Sequence, residues 1–405
     1  MEVSLLMTRK WSAAAALLAC VLSAAGARAQ QPQLAATPSM GWNTWNHFHH
    51  DISDRLIRAQ ADAMVASGIR DAGYVYINID SGWEGYRDAA GVLHPNKNFP
   101  DIKALGDYIH SKGLKFCLYT GPSSVTCAGA PASYGHEAQD AKMFAAWGVD
   151  YLKYDLCSYR KIMQSQSGGN LQRANDRMRS AYATMHRDLV ATGQPIVFSM
   201  CQYGWNKVWE WEWGPDVGGN LWRTTGDISD NYERMTSIGF RQAGLSRYAG
   251  PGHWNDPDIL EVGNGSMTAD EQRTQFSLWA IAAAPLIAGN DLANMFAETK
   301  SILLNREVIA IDQDPLGKAG DRVHADGPLE DWSRPLAGGA MAAALFNRTT
   351  QPTVITFHLA ALGWRGPAAA RDVWKHANLG IVNASYAATV PAHSIVLLRL
   401  TRPAP

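Results

Sequence analysis

The chain predicts a (β/α)8 barrel followed by a small C-terminal antiparallel β-sandwich, and three observations carry that expectation. Strand-like and helix-like segments alternate about eight times over nearly 280 residues, close to the ~250 residues typical of such a barrel. After Gly317 the pattern changes to short alternating runs separated by turn residues, with no convincing helix, as in a sandwich. The structural alternative, a doubly wound open sheet, lacks support because no GxGxxG follows the first strand.

The N-terminus reads as an address. Arg9 and Lys10 precede an apolar run over residues 11–25, which ends in Ala27-Arg28-Ala29. A basic region, a short apolar stretch and a small-x-small site predict a signal peptide over 1–29, cleaved before Gln30. The run is too short and alanine-rich for a transmembrane helix. A weaker alternative is lipidation at Cys20, after Leu17-Leu18-Ala19. No second membrane-length segment is present, so an exported chain, secreted or periplasmic, is expected. The barrel is assigned to 30–317 and the sandwich to 318–405.

Within the barrel, residues 74–80 form a strand bounded by Gly73 and Gly82. Residues 102–112 have helical periodicity and stop at Gly113, and 114–119 are again a strand. A Gly/Pro/Ser-rich loop follows, then a helix over 136–147 and a strand over 149–155. Residues 171–191 make a long amphipathic helix and 195–200 a strand. Strand 221–225, helix 231–237, a loop over 250–258, helix 268–283, strand 285–288 and helix 297–304 complete the alternation. In a barrel, functional groups stand at strand C-terminal ends. Those positions are held by Trp45, Asp80, Tyr119, Asp155, Met200-Cys201-Gln202 and Asp227. In the sandwich, 340–346, 353–357 and 394–400 are the clearest strands.

Composition bounds the partners. Formal net charge is −1, so neither nucleic acid nor an acidic membrane surface is an expected partner. The 15 tryptophans and 14 tyrosines supply faces that stack on sugar rings, although aromatic residues fill cores more often. Of the cysteines left after the leader, Cys127 and Cys157 flank a strand-helix-strand unit and can bridge in an oxidising compartment. Cys117 and Cys201 read as buried thiols. There is no CxxC or HExxH spacing, and His47-Phe-His-His50 has poor ligand geometry with no acid nearby, so no metal and no cofactor is expected.

Two segments carry the chemistry: Tyr151-Leu-Lys-Tyr-Asp-Leu-Cys157 and Leu221-Trp-Arg-Thr-Thr-Gly-Asp227. Each is an apolar strand delivering one aspartate near its C-terminal end, preceded by a cation. A carboxylate pair of this kind suits glycosidic bond cleavage, one group protonating the leaving oxygen and the other meeting the oxocarbenium-like centre. The nucleophile must be ionised, which Lys153 beside Asp155 favours. The acid must hold its proton at working pH, which burial of Asp227 and a negative neighbour would favour.

Five motifs in order, Ser39-Met-Gly-Trp-Asn-Thr-Trp-Asn46, Lys153-Tyr-Asp-Leu-Cys157, Trp222-Arg-Thr-Thr-Gly-Asp-Ile228, Trp254-Asn-Asp-Pro-Asp258 and Ala310-Ile-Asp-Gln-Asp-Pro-Leu-Gly317, resemble glycoside hydrolase family 27. That family comprises α-galactosidases and α-N-acetylgalactosaminidases. The resemblance spans about residues 38–317 and implies a barrel, a C-terminal sandwich and retention of configuration by double displacement. By position, it implies Asp155 as nucleophile and Asp227 as acid/base. It further implies sugar-binding roles for Lys153, Arg223, Asp80 and Tyr119, an aromatic wall at Trp45, and a Cys127–Cys157 disulfide with Cys127 at the pocket.

Two departures bear on the substrate. Many relatives carry two adjacent acids on the second strand, where this chain has Asp80-Ser81. A serine is a weaker, neutral acceptor for the distal sugar hydroxyls, and relatives altered here can take β-L-arabinopyranosides. The segment Cys201-Gln-Tyr-Gly-Trp205 surrounds the sugar 2-position in the family. Gln202 keeps hydrogen-bonding ability, and Tyr203 and Trp205 are large for an acetamide, so a 2-hydroxyl sugar is expected over N-acetylgalactosamine. The expected partner is an α-galactoside-containing glycan. The rivals are a β-L-arabinopyranosidase, an α-N-acetylgalactosaminidase, or a non-catalytic carbohydrate-binding protein on a barrel scaffold. No signal of oligomeric state is present.

Overall fold

Eight short strands line up as staves: β1 (Met40–Asn43), β2 (Tyr76–Ile79), β3 (Lys115–Thr120), β4 (Tyr151–Asp155), β5 (Val197–Cys201), β6 (Leu221–Arg223), β7 (Trp254–Asp256) and β8 (Leu286–Ala288). Strands β1 to β7 pair in parallel with their neighbours in sequence, and β8 returns to pair with β1. The seam between β7 and β8 is closed just beyond β7 by a parallel bridge from Leu260 to Ala288. There the Leu260 N–H donates to the Ile287 carbonyl at 2.7 Å and the Gly289 N–H to the Leu260 carbonyl at 3.0 Å. The computed structural model describes residues 34–208 and 213–403; the leader, its cleavage point and Cys20 lie outside the described residues.

The alternation along each strand sorts side chains into two environments. In β4, Leu152 and Tyr154 join the large apolar core between sheet and helices. Tyr151 faces inward and packs with Tyr76, Cys117, Val197 and Leu221 as an apolar plug low in the barrel. Lys153 and Asp155, two and four residues on, reach the polar pocket above that plug. The same offset takes β3 from Cys117 to Tyr119. Cys117 and Cys201 are buried thiols, as the sequence predicts.

Helices α1 (Asp54–Ser67), α2 (Ile102–Ser111), α3 (Glu137–Ala146), α4 (Leu171–Ala191), α5 (Tyr232–Gly239) and α6 (Ala269–Ala282) form the outer shell, with shorter helices between them. Thr268 and Glu271 close a reciprocal capping box at the start of α6. The sequence pass did not mark α1, whose buried side is only Ile57, Gln60, Ala61 and Met64. A face so short in large apolar residues gives little periodicity.

Beyond the barrel, β9 (Asp321–Asp326), β10 (Leu329–Pro335), β11 (Met341–Asn347), β12 (Thr353–His358), β13 (Ala368–Asp372), β14 (Ala377–Val382), β15 (Ser385–Val390) and β16 (Ser394–Thr401) follow. They form a six-stranded antiparallel sheet ordered β9-β10-β11-β16-β13-β14 and a separate β12-β15 pair. A second apolar core, including Leu345, Phe357, Trp364 and Leu398, fills the space between them. Helix α6 contributes to the contact with the barrel: buried Arg334 donates to the Ala280 carbonyl of α6 at 2.5 Å and to the Asp312 carbonyl of a later helix at 2.9 Å.

Gly121, immediately after β3, sits where a Cβ would lie 2.2 Å from the carbonyl oxygen of Asp155. That approach requires glycine, since either β3 or the end of β4 would otherwise shift. Gly121→Ala is expected to cost about 1–3 kcal/mol in urea unfolding and to lower kcat on the order of 100-fold through displacement of Asp155. Wild-type kcat in the variant would show that the two strand ends are not held in this way.

Candidate active site

The mouth of the barrel encloses a polar cavity of about 90 Å³, small enough for one ring rather than a chain. Trp45, Asp80, Ser81, Tyr119, Cys127, Lys153, Asp155, Arg223 and Asp227 all line it, joined by Asn43, Asn46, Tyr203, Ile228, Asp258 and Ile259. Seven different strands or their following loops therefore converge on one space.

Asp155 is buried, and its two carboxylate oxygens differ. Oδ1 accepts from the Tyr203 hydroxyl at 2.6 Å and from the Cys157 N–H at 3.3 Å. Oδ2 has no hydrogen-bond partner among the described residues. Burial pushes this carboxyl above its ordinary range, while Lys153 and the Tyr203 hydrogen bond pull it back. The expectation that Lys153 would leave the nucleophile with a lowered pKa is therefore corrected: desolvation outweighs it. Lys153 is not the direct partner of Asp155. Its Nζ pairs with Asp80 Oδ2 at 2.9 Å. Burial disfavours the ammonium, but Asp80 and the other nearby acids more than offset that and hold it protonated.

Asp80 is fixed from three sides. Oδ2 also accepts from Asn43 Nδ2 at 3.1 Å, and Oδ1 accepts the Ser81 N–H at 2.9 Å. Asn43 also accepts the Trp45 N–H at 2.7 Å, which ties the aromatic wall to the same network. Trp45 is braced edge-on by His49 and His50, at ring-centroid distances of 5.7 and 5.0 Å.

Across the cavity, Arg223 is buried and shares its Nη2 between Asp258 at 2.9 Å and Asp227 at 3.1 Å. Asp258 Oδ2 also accepts the Ile228 N–H at 2.8 Å, so it orients the residue next to Asp227. Asp227 itself has 70% of its side chain exposed. The expected burial of the acid is absent in the open pocket: Asp227 follows β6 in a loop at the rim, where water reaches it. Asp256 is half-buried beside Arg223; desolvation raises its carboxyl to about 6, with Arg223 opposing.

The predicted disulfide between Cys127 and Cys157 is present, and the Tyr119 hydroxyl lies 3.0 Å from Cys157 Sγ. Cys127, Asp155 and Cys157 are close enough together for an ion, but cysteines bonded to each other are not thiolate ligands. Two predicted sugar-binding residues lie outside the cavity. Gln202 turns under the loop, its Nε2 donating to the Arg223 carbonyl at 3.0 Å. Trp205 lies on an adjoining surface groove with Arg160 5.0 Å above its ring. Tyr203, with φ of 60°, is the member of that segment that enters the pocket. The left-handed turn at Tyr203-Gly204 re-aims the chain, which strand-end counting does not reveal. Of the tryptophan-rich 209–213 stretch, Trp213 is core, packed on Tyr182, and the rest lies outside the described residues.

Comparison with known proteins agrees with this geometry. The family model described as alpha galactosidase A matches residues 37–314, and that for the alpha galactosidase C-terminal beta sandwich domain matches 326–400. An alpha-galactosidase of Cyamopsis tetragonoloba is 44% identical over 91% of this chain and 87% of its own length. Alpha-galactosidase A of Cellvibrio japonicus is 43% identical over 95% of this chain and 97% of its own. The structure of the Saccharomyces cerevisiae enzyme with raffinose superposes with a TM-score of 0.84 at 29% identity, covering 91% of this chain and 98% of that one.

Removing the Tyr203 hydroxyl strips a charge-assisted hydrogen bond from ionised Asp155, so its carboxyl should ionise at higher pH. In Tyr203→Phe the acidic limb of kcat/KM against pH, measured on an aryl glycoside, is expected to move up by about one unit. An unmoved or lowered limb would mean that the 2.6 Å contact does not stabilise the charged form.

Proposed function

The chain belongs to glycoside hydrolase family 27, the α-galactosidase or melibiase family, and from that premise we propose how this pocket cleaves a terminal α-linked galactose. The protein is an enzyme and a glycosidase, hydrolysing α-galactosides. The assignment of individual residues below is our reading of the geometry.

The observation that carries it is the asymmetry of Asp155. With Oδ1 held by Tyr203 and Cys157, Oδ2 is the nucleophile, free of partners and within the cavity. It attacks the anomeric carbon as the bond to the leaving oxygen breaks, and Asp227 delivers its proton to that oxygen. A covalent glycosyl-enzyme results. Asp227, now a carboxylate at the open rim, takes a proton from an incoming water, which attacks the same carbon and releases Asp155. Two inversions give net retention. The exposure of Asp227 suits both half-reactions, since leaving group and water arrive from the mouth. A bound substrate covers Asp227 and excludes water from it.

The remaining groups bind and orient the ring. Lys153 and Asp80 form a hydrogen-bonding pair for distal hydroxyls, Arg223 and Asp258 hold the acid/base in place, and Trp45 and Tyr119 offer aromatic walls. The Tyr203 phenol fills the space beside Asp155, which supports a sugar with a hydroxyl rather than an acetamide at C2. Raffinose and related oligosaccharides ending in α-galactose are the fitting substrate class. No helix among the described residues is long and apolar enough to cross a membrane. Together with residues 1–29 as a signal peptide, this supports export to the periplasm or medium. We assign catalysis to the barrel, residues 30–317, and a packing role to 318–405.

Asp155→Asn is expected to abolish turnover of p-nitrophenyl α-galactoside. Asp227→Asn should retain the first step for this good leaving group and accumulate the glycosyl-enzyme, detectable by mass spectrometry. Proton NMR of the wild-type reaction should show α-galactose as the first product. Initial release of the β-anomer, or wild-type-like rates in Asp155→Asn, would overturn the mechanism.

A further inference from the structure

Ser81 occupies the wall position at which many relatives carry a second acid. Its hydroxyl is 3.3 and 3.4 Å from the two carboxyl oxygens of Glu84 and 3.2 Å from Thr126 Oγ1. Glu84 begins the hairpin that follows β2, and the chain doubles back at Gly82, with φ of 125°. The carboxyl of Glu84 also accepts the Gly82 N–H at 2.7 Å. Glu84 is only 5% exposed, and among the described residues no lysine or arginine pairs with it. A buried carboxyl without a cation is costly unless it is hydrogen-bonded or neutral. The turn does not depend on it alone, because Asn96 Nδ2 donates to the Gly82 carbonyl at 2.6 Å and to the Glu84 carbonyl at 3.3 Å.

We propose that Glu84 is a specificity-determining positioning residue that holds the Ser81 hydroxyl and, through it, supplies the carboxyl that position 81 lacks toward the distal sugar hydroxyls. The proposal rests on the galactose reading of the pocket. Ser81 has one proton to give and Glu84 governs where it goes. Burial, with Asp80 adding to it, raises the Glu84 carboxyl to about 8. When neutral, Glu84 donates to Ser81 Oγ and frees the Ser81 proton for the sugar. When ionised, it accepts the Ser81 hydroxyl as a hydrogen-bond donor, and Ser81 presents only lone pairs to the sugar. A carboxylate placed at 81 would face the carboxyl of Glu84 at close range, so acids at 81 and 84 are alternatives.

The test uses kcat/KM on p-nitrophenyl α-galactoside and p-nitrophenyl β-L-arabinopyranoside, which share ring stereochemistry and differ by the primary alcohol. Glu84→Gln is expected to lower the galactoside value roughly tenfold, mainly through KM, and the arabinopyranoside value by less than about threefold. Ser81→Asp alone should impair the galactoside reaction, and Ser81→Asp with Glu84→Gln should recover it. Equal losses on both sugars in Glu84→Gln, with a lowered Tm and no recovery in the double variant, would make Glu84 a loop brace and overturn the proposal. An unchanged galactoside-to-arabinopyranoside ratio would overturn it too, while leaving the galactose reading intact. A wild type inactive on both sugars would overturn the proposal together with that reading.

Discussion

The pocket depends on one constraint: six charged side chains must stand close together at the top of a closed barrel without leaving any charge uncompensated. Lys153 answers Asp80 on one side, and Arg223 answers both Asp258 and Asp227 on the other. Asp155 lies between these pairs, buried, with a phenol and a backbone amide in place of a direct cation. Isolated buried charges cost several kcal/mol each, so each pair makes the next tenable. At Asp155 desolvation outweighs the opposing pull of Lys153 and of the Tyr203 hydrogen bond, so its carboxyl stands above the ordinary range.

That balance is held by backbone as much as by side chains. Cys157, Tyr203 and Asp258 all have positive φ, at 37°, 60° and 99°, and all three border the cavity or Asp155. Such conformations are uncommon for non-glycine residues and cost of order 1–3 kcal/mol each. Here the surroundings over-determine them. The disulfide pins Cys157, the contact with Asp155 pins Tyr203, and hydrogen bonds from Ile228 and Ile259 pin Asp258. The apolar plug of Tyr76, Cys117, Tyr151, Val197 and Leu221 gives these loops a rigid floor, so strain concentrates at the rim rather than dispersing through the strands.

Much of the site was legible because barrel strands obey a period of two. Once residues 151–155 were read as a strand, Lys153 and Asp155 had to share a face, and the same holds for Tyr119 over Cys117. The misses lie where that period ends. Gln202 and Trp205 were expected at the sugar because the resemblance places their segment around the 2-position, yet Gln202 is taken by the Arg223 carbonyl, and the left-handed turn at Tyr203-Gly204 brings Tyr203 in while carrying Trp205 onto the surface. Asp258 stands in the fourth family motif, but its pairing with Arg223 could not be seen because the partners are 35 positions apart in sequence. Helix α1 escaped for a different reason, its buried face being too poor in large apolar residues to signal.

The sequence by itself determined the barrel-plus-sandwich architecture, the enzyme family, and the two aspartates at strand ends, since these follow from local alternation and short motifs. Only the tertiary structure decided which partner each charge takes. Lys153 serves Asp80 rather than Asp155, Asp227 is exposed rather than buried, and Ser81 is backed by Glu84. Lys153 and Asp80 meet although 73 positions apart, because their strands lie close in the barrel, whereas Ser81 and Glu84 meet across the local turn at Gly82. Electrostatic pairing at that range depends on distance and solvent exclusion, and both are set by tertiary packing rather than by spacing along the chain.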